Sequence, residues 1–168
     1  MEIICFHNPD EENGFLSNWY LSEFIIDNQK FTSMEQYMMY KKAMCFNDIE
    51  IAKQILETDD VAKIKELGRK VSGYNDHIWN GVRQIIIYDG LIAKFTQNEE
   101  LRARLLATDN AMLAECAVRD CIWGIGLSMT DSKRLDMSEW KGQNLLGYAL
   151  MLVRAKMQQE LNNRLMSV

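Results

Sequence analysis

Two acidic residues and two tryptophans form a set that could carry out chemistry: Glu35, Asp120, Trp79 and Trp123. A carboxylate can stabilise a developing cation or deprotonate a water molecule, and an indole ring can stack on a heterocyclic base. Cleavage of an N-glycosidic bond passes through a ribosyl oxocarbenium ion while the base departs, so it needs both kinds of group. These residue types would suit such a reaction.

Glu35 falls in the first turn of a predicted helix. Ser33 and Gln36 form a Ser-x-x-Gln capping box, which indicates where the helix begins. A helix N-terminus favours an ionised carboxylate, so Glu35 suits a charge stabiliser or a base better than a proton donor, although burial would act in the opposite direction. Lys42 lies seven residues later on the same face. The alternative is that Glu35 only complements the helix dipole, and the sequence leaves both interpretations open.

A later helix carries a mixed face. Trp79, Arg83, Ile87, Gly90 and Lys94 are spaced by four, four, three and four residues, which places them on one side of a helix. The two cations could form a phosphate-binding wall beside the tryptophan. The alternative is a pair of solvated basic residues next to a core tryptophan.

The segment from Asp120 to Gly126 is the most suggestive of ligand binding. Trp123 and Gly124 follow the acid, and a glycine marks a place where a ligand or the backbone could approach closely. We expect Trp123 to stack on a heterocycle, with a place in the core as the alternative. The Gly-Ile-Gly run lacks the third glycine of a dinucleotide fingerprint, which excludes a Rossmann site.

The loop from Asn13 to Tyr20 combines amide and aromatic side chains. Asn18 could bind the edge of a heterocycle, and Trp19 could stack on its face. The alternative is that this loop is a hydrophobic anchor for the N-terminal strand.

The composition narrows the classes of protein to which the chain can belong. It has 168 residues, and 19 Lys and Arg against 24 Asp and Glu give a net charge of -5. This acidity argues against a non-specific nucleic-acid binder, but not against an enzyme that grips one phosphorylated nucleotide. No apolar run is long enough to span a membrane, and the segment 1–8 lacks signal-peptide features, so we expect a cytoplasmic protein.

The cysteines do not suggest a metal site. Cys116 and Cys121 are five residues apart, and neither a histidine nor a second pair stands nearby at zinc spacing. We expect Cys5, Cys45, Cys116 and Cys121 to be buried thiols that pack as small apolar side chains. A Cys-His nucleophile pair is also disfavoured.

The pattern of strands and helices around these residues predicts a mostly helical α+β domain with a small antiparallel sheet. We predict strands at 3–6 and 112–114, a hairpin turning at residues 27–28, and helices over about 33–46, 48–57, 60–67, 78–95 (capped by residues 75–76), 98–106 and 144–165. The third helix should end before Gly68, and the fourth should carry one apolar stripe at positions 78, 82, 85, 86 and 92. With one proline and no linker, residues 1–168 are predicted to form a single domain.

Several short sequence motifs follow one another along most of the chain. They are Gly14 to Trp19, Phe31 to Ala43, Leu67 to Arg69, Trp79 with Arg83, Lys94 with Phe95, Asp120 to Gly126, Trp140 with Gly142 and Asn144, and Leu145 to Gly147. In order and spacing these motifs resemble the NADAR, or YbiA-like, family of N-glycosidases. The resemblance implies an α+β domain without a metal or redox cofactor, which hydrolyses an N-ribosyl bond.

The resemblance also implies two substrate classes and an active-site set. One class is the ribosylaminopyrimidine 5′-phosphates of early riboflavin synthesis, and the other is ADP-ribosylated guanine in DNA or as a nucleotide. We interpret Glu35 as the charged partner of the ribosyl cation or of the water, and Asp120 as positioning sugar hydroxyls or sharing proton transfer. The predicted substrate-binding residues are Asn18, Trp19, Lys42, Arg69, Trp79, Arg83, Lys94, Trp123 and Gly124.

A second hypothesis belongs to a different class. The same residues would serve a binding module that holds ADP-ribose or a similar nucleotide without cleaving it. In either case we expect no cofactor, no metal, no membrane contact and no obligate protein partner. The acidic charge favours a small metabolite or a short single-stranded site over long duplex DNA.

Overall fold

A computed structural model describes residues 1–167 of the chain. In chain order its regular elements are β1 (Ile3–Phe6), β2 (Leu21–Ile26), β3 (Gln29–Ser33), α1 (Met34–Cys45), α2 (Ile49–Leu56), α3 (Val61–Arg69), α4 (Asp76–Gln97), α5 (Glu99–Leu106), β4 (Met112–Glu115) and α6 (Leu145–Met166). The predicted class, mostly helical α+β with a small antiparallel sheet, is confirmed.

The chain divides into two compact units. We call Asn18–Asn98 the central unit, and Met1–Ser17 together with Glu99–Val168 the terminal unit. The central unit contains the β2–β3 hairpin and helices α1 to α4, and the terminal unit contains β1, β4, α5 and α6. None of the helices within residues 1–167 is apolar over a length that would cross a bilayer.

The predicted hairpin opens the central unit. β2 and β3 pair in antiparallel fashion, and Asp27 and Asn28 both have positive φ, 52° and 63°, as a two-residue primed turn requires. Phe31 of β3 packs edge-on against Tyr37 of α1, with ring centres 5.1 Å apart. The hairpin is therefore fixed to the helix that follows it.

Side-chain caps start the helices of the central unit at the predicted places. Ser33 Oγ accepts the N–H of Gln36 at 3.1 Å, while Gln36 Oε1 accepts the N–H of Thr32 at 2.7 Å. The predicted cap by Ser33 is therefore confirmed, while the side chain of Gln36 accepts the N–H of Thr32 instead of that of Ser33. Asp48, Asp60 and Asn75 cap α2, α3 and α4.

Two predictions about these helices are wrong. α3 continues through Gly68 to Arg69, because the side chain of Met39 packs where a Cβ at position 68 would lie. In α4 the predicted stripe does not form the buried face, since Ile78 and Ile85 are 52% and 65% exposed. The buried face runs instead through Gly90, where a Cβ would lie 2.6 Å from the ring of Tyr37.

The terminal unit is built on a parallel strand pair that the sequence analysis did not anticipate. β1 and β4 pair from Ile3 opposite Met112 to Phe6 opposite Glu115. Asn144, at the start of α6, ties the helix to β4: its Nδ2 donates to the carbonyl of Leu113 at 2.8 Å, and its Oδ1 accepts the N–H of Glu115 at 3.1 Å. This strand pair leads directly into the segment that carries Asp120 and Trp123.

The prediction of four buried thiols is wrong for most of them. Cys116 is buried, but Cys45 and Cys121 are exposed and Cys5 is half-buried. Cys45 is the last residue of α1, and Cys121 lies in a turn, so neither belongs to a side of an element that faces the core.

Candidate functional site

Glu35 and Asn18 lie side by side at the base of the hairpin. Glu35 is in the first turn of α1 and only 4% exposed, and its N–H donates to the carbonyl of Asn18 at 2.9 Å. Asn18 is also buried, and its Oδ1 has no hydrogen-bond partner among the described residues. A buried acceptor without a donor costs free energy. This oxygen is therefore well suited to receive a hydrogen bond from a bound molecule.

Lys42 lies two turns after Glu35 on the same side of α1. Its Nζ donates to the carbonyl of Gly68 at 2.7 Å and lies 4.4 Å from the centre of the Tyr74 ring. Burial lowers the pKa of Lys42, while the carboxylates of Asp76 and Glu35 act against that shift. The predicted placement of Glu35 and Lys42 on one face is thus accompanied by a direct electrostatic interaction.

Tyr74 and Asp76 also lie next to Lys42, although neither was predicted as a site residue. The hydroxyl of Tyr74 donates to Asp76 Oδ1 at 2.6 Å, just where α4 begins. α1 and α4 run antiparallel, because Gly90 lies against Tyr37 early in α1 whereas Tyr74 packs on Phe46 just after its end. No spacing in the sequence links Tyr74 to Lys42, so only the packing of the two helices identifies them as neighbours.

The mixed face of α4 is buried, and the interpretation of its cations as solvated is wrong. Trp79 is 6% exposed, Arg83 is 9% exposed and Lys94 is 0% exposed. Lys94 Nζ lies 5.5 Å from the centre of the Tyr20 ring, and burial lowers the pKa of Lys94 to about 7. An anion close to this lysine would offset its desolvation, since a negative charge favours the protonated amine.

Two further predicted residues of the central unit are more accessible. Trp19 is half-buried, and Lys65 Nζ lies 5.6 Å from the centre of its ring. Arg69, at the end of α3, is exposed and lowers the pKa of Lys42 by charge repulsion. The structure thus brings Asn18, Glu35, Lys42 and Arg69 into one neighbourhood.

Asp120, Trp123 and Gly124 belong to the terminal unit. Asp120 Oδ1 accepts the backbone N–H groups of Ile122 at 3.0 Å and Trp123 at 2.8 Å, so the carboxylate caps its own turn. Trp123 is half-buried. A Cβ at Gly124 would lie 2.8 Å from the carbonyl oxygen of Glu115, so close approach of the backbone accounts for this glycine.

Residues 1–167 contain no group of three or more His, Cys, Asp or Glu side chains placed to hold a metal ion. The chemistry that these residues can perform therefore depends on carboxylates, amines and rings. A buried carboxylate at a helix N-terminus can stabilise a cation, and buried amines can bind an anion.

The chain matches a known family over most of its length. The model of the NADAR domain matches residues 5–158. N-glycosidase R617 of Acanthamoeba polyphaga mimivirus is 37% identical over 166 residues, which cover 94% of this chain and 98% of that protein.

A longer relative and a solved structure are also similar. Riboflavin biosynthesis protein VVA0006 of Vibrio vulnificus is 31% identical over 156 residues, which cover 93% of this chain and 39% of that protein. The NMR structure of the Escherichia coli protein YbiA superimposes with a TM-score of 0.78 at 30% identity, covering 95% of this chain and 86% of that one.

Proposed function

The chain belongs to the NADAR family, and we propose that it is an N-glycosidase that hydrolyses the N-ribosyl bond of a phosphorylated ribosyl-heterocycle. The observation that carries this proposal is the buried carboxylate of Glu35 at the N-terminus of α1, beside Asn18 Oδ1, which has no hydrogen-bond partner within residues 1–167. The name N-glycosidase given to a relative that is similar over its whole length supports the same type of reaction.

In this proposal Glu35 faces the ribose as its bond to the base breaks. Positive charge then develops on the sugar, and a fixed negative charge nearby lowers the energy of that transition state. The helix N-terminus and the Lys42 ammonium both favour a negative charge at Glu35. The same carboxylate can take a proton from the water that attacks the sugar.

We assign a second carboxylate, Asp120, to the sugar hydroxyls or to shared proton transfer, and Trp123 to stacking on the heterocycle. Asp120 Oδ1 fixes the turn through the N–H of Trp123, so the acid and the ring are held in one local arrangement. Trp19 supplies a second accessible ring, next to the buried amide of Asn18.

We assign the 5′-phosphate to the cations of α4. Arg83 and Lys94 lie on its buried face together with Trp79, within the same unit as Glu35. Burial disfavours the charged form of Lys94, so the approach of a phosphate would be coupled to uptake of a proton by this amine. Lys42 and Arg69 complete the proposed binding set.

Two substrate classes fit this chemistry, ribosylaminopyrimidine 5′-phosphates and ADP-ribosylated guanine. Both carry a ribose joined to an aminated heterocycle and a 5′-phosphate. The name of the Vibrio relative, a riboflavin biosynthesis protein, favours the first class as the one to test first. The match to the family model spans parts of both compact units, which supports treating residues 1–168 as one NADAR domain.

The deciding experiment offers both substrates to the purified full-length chain side by side. One is a ribosylaminouracil 5′-phosphate, and the other is an oligonucleotide that carries ADP-ribosylated guanine. We expect release of the free base with a reducing sugar phosphate from the first, or of ADP-ribose from the second. The Glu35→Gln variant, run in parallel, should release neither at a comparable rate.

The second candidate function is a module that binds ADP-ribose or a similar nucleotide without cleaving it. Asn18 Oδ1 and the exposed part of the Trp19 ring would serve that function equally well. Calorimetric binding of either substrate without product would favour the module. If neither substrate is bound or cleaved, both proposals fail.

A further inference from the structure

The terminal unit places two thiols together on its parallel strand pair. Cys5 of β1 lies opposite Ala114 of β4, and Cys116 follows two residues later, with its N–H donating to the carbonyl of Phe6 at 2.8 Å. Alternate residues of an extended segment point to the same side, so Cys5, Ala114 and Cys116 share one face. Cys5 packs against the apolar cluster that contains the fully buried Cys116.

An arginine is held next to this pair of thiols. Arg134 Nη1 donates to the carbonyl of Asp131 at 3.0 Å, and the carbonyl of Arg134 accepts the indole N–H of Trp140 at 2.9 Å. These two contacts fix both ends of the residue. Arg134 Nε is buried and has no hydrogen-bond partner among the described residues, and the positive charge of the guanidinium acts on Cys5.

From this arrangement we propose that Cys5 and Cys116 form a peroxide-sensitive dithiol, in which Cys5 is the oxidised residue and Cys116 closes a disulfide with it. This dithiol uses none of the residues to which we assign the glycosidase reaction. Its substrate is hydrogen peroxide or a small organic hydroperoxide.

The electrostatics of the pair assign the two roles. Contact with the neighbouring thiol of Cys116 and the charge of the Arg134 guanidinium lower the pKa of Cys5 to about 7, against the opposing effect of burial. The Cys116 thiol itself donates to the carbonyl of Ala114 at 3.9 Å. The contact between the two thiols, burial and the Cys5 thiolate hold the pKa of Cys116 far above its usual range. Cys5 is therefore the thiolate, and hence the nucleophile, near neutral pH.

The reaction balances without another reagent. The Cys5 thiolate attacks one oxygen of hydrogen peroxide, the O–O bond breaks, and the leaving oxygen takes a proton to become water. Cys5 is then a neutral sulfenic acid, so its thiolate no longer opposes ionisation of Cys116. The sulfur of Cys116 attacks that of Cys5, the S–O bond breaks, and a second water leaves. Two thiols are oxidised to a disulfide, and one peroxide is reduced to two waters.

The first test treats the full-length protein with a small excess of hydrogen peroxide and maps the products by mass spectrometry. We expect the loss of two hydrogens and a Cys5–Cys116 crosslink, while the exposed Cys45 and Cys121 stay reduced. In Cys116→Ser, dimedone should trap a sulfenic acid on Cys5. A disulfide that involves Cys45 or Cys121, or a dimedone adduct on Cys5 of the unmodified chain without any crosslink, would overturn the proposal.

A second test needs no variant of the thiols. The readout is the rate at which iodoacetamide alkylates Cys5 as the pH is varied. Because the thiolate is the reacting form, this rate should reach about half of its plateau near pH 7.

Arg134→Gln should move the half-maximal pH of Cys5 alkylation upward, and the exposed Arg119→Gln is the matched control that should leave it unchanged. If the alkylation rate of Cys5 is still far below its plateau at about pH 8, Cys5 is a packing residue and the proposal fails.

Discussion

The face shared by α1 and α4 and the turn from Asp120 to Gly126 both carry residues assigned to the substrate, but the structure accounts for them differently. In the turn, the carboxylate of Asp120 accepts two backbone N–H groups, and the backbone of Glu115 lies where Gly124 would carry a Cβ. The local structure of the turn therefore explains both the acid at position 120 and the glycine at position 124. On the helical face, Glu35 and Lys94 are 4% and 0% exposed.

Burying a charged side chain costs free energy, and a helix can form without buried charges. The cap of α1 is made by Ser33, so the helix begins without requiring a buried acid at position 35. The turn, in contrast, would lose its cap without Asp120. Burial of charged groups therefore indicates a chemical role for the helical face. For Asp120, which already has a structural role, only kinetics can show a chemical one.

We expect the largest effect on turnover from a substitution of Glu35. Glu35→Gln removes the charge but keeps the shape, so we expect turnover to fall by roughly 10²- to 10⁴-fold with the fold intact. Steady-state release of the free base measures the effect, and circular dichroism checks the fold. Glu50, an exposed acid in the first turn of α2, provides the matched control: Glu50→Gln should keep its activity. Turnover of Glu35→Gln close to that of the unmodified chain would remove the central assignment.

The second prediction separates chemistry from capping at Asp120. In Asp120→Asn the amide oxygen can still accept both N–H groups, so the turn should persist while turnover falls by roughly 10²- to 10⁴-fold. Asp120→Ala should lose in addition about 1 kcal/mol of unfolding free energy, by analogy with the loss of a helix cap. Asp136 accepts the N–H of Ser138 in a similar turn, so Asp136→Ala is the control for the stability lost with a cap alone. Normal turnover in Asp120→Asn would leave Asp120 with a structural role alone.

The third prediction concerns the ring held by that turn. If Trp123 stacks on the base, Trp123→Ala should weaken binding or the transition state by roughly 5- to 150-fold, as expected for a stacking energy of about 1–3 kcal/mol. Thermal melting and kinetics on one sample distinguish this from a core role, because truncating a core aromatic costs about 3–5 kcal/mol of stability. A large drop in melting temperature with near-normal specific activity would place Trp123 in the core.

The last prediction, with the smallest expected effect on activity, is a pH dependence of stability. Because burial lowers the pKa of Lys94 to about 7 in the folded chain, the unfolded chain binds more protons from about pH 7 up to its ordinary pKa of about 10.4. The unfolding free energy should therefore rise with pH across this window, by at most about 1.4 kcal/mol per unit, and stay flat below it.

Urea unfolding at several pH values, compared between the unmodified chain and Lys94→Met, isolates this contribution, since other groups cancel in the difference. The exposed Lys53→Met is the matched control and should follow the unmodified chain. Parallel curves for the unmodified chain and Lys94→Met would mean that Lys94 stays charged when buried, which would contradict its proposed proton uptake with phosphate.

Local signals in the sequence determined where the elements begin and how the hairpin turns. Ser33, Asp48, Asp60 and Asn75 each accept an N–H within three residues, so a short window of sequence is enough to predict them. The turn at residues 27–28 is equally local, because Asp and Asn tolerate positive φ. The placement of Glu35 in the first turn of a helix, and of Lys42 on the same face, followed from these same rules.

Tertiary structure alone decided which faces are buried and which distant segments meet. Ile78 and Ile85 form an apolar pattern that predicts a core stripe, yet α4 turns the side with Gly90 to α1, because the ring of Tyr37 fits only where no Cβ is present. The parallel pairing of β1 with β4 and the ring of Tyr74 beneath Lys42 likewise join segments far apart in the chain. Such contacts depend on the complementary shapes of packed surfaces, which periodicity along one segment does not encode.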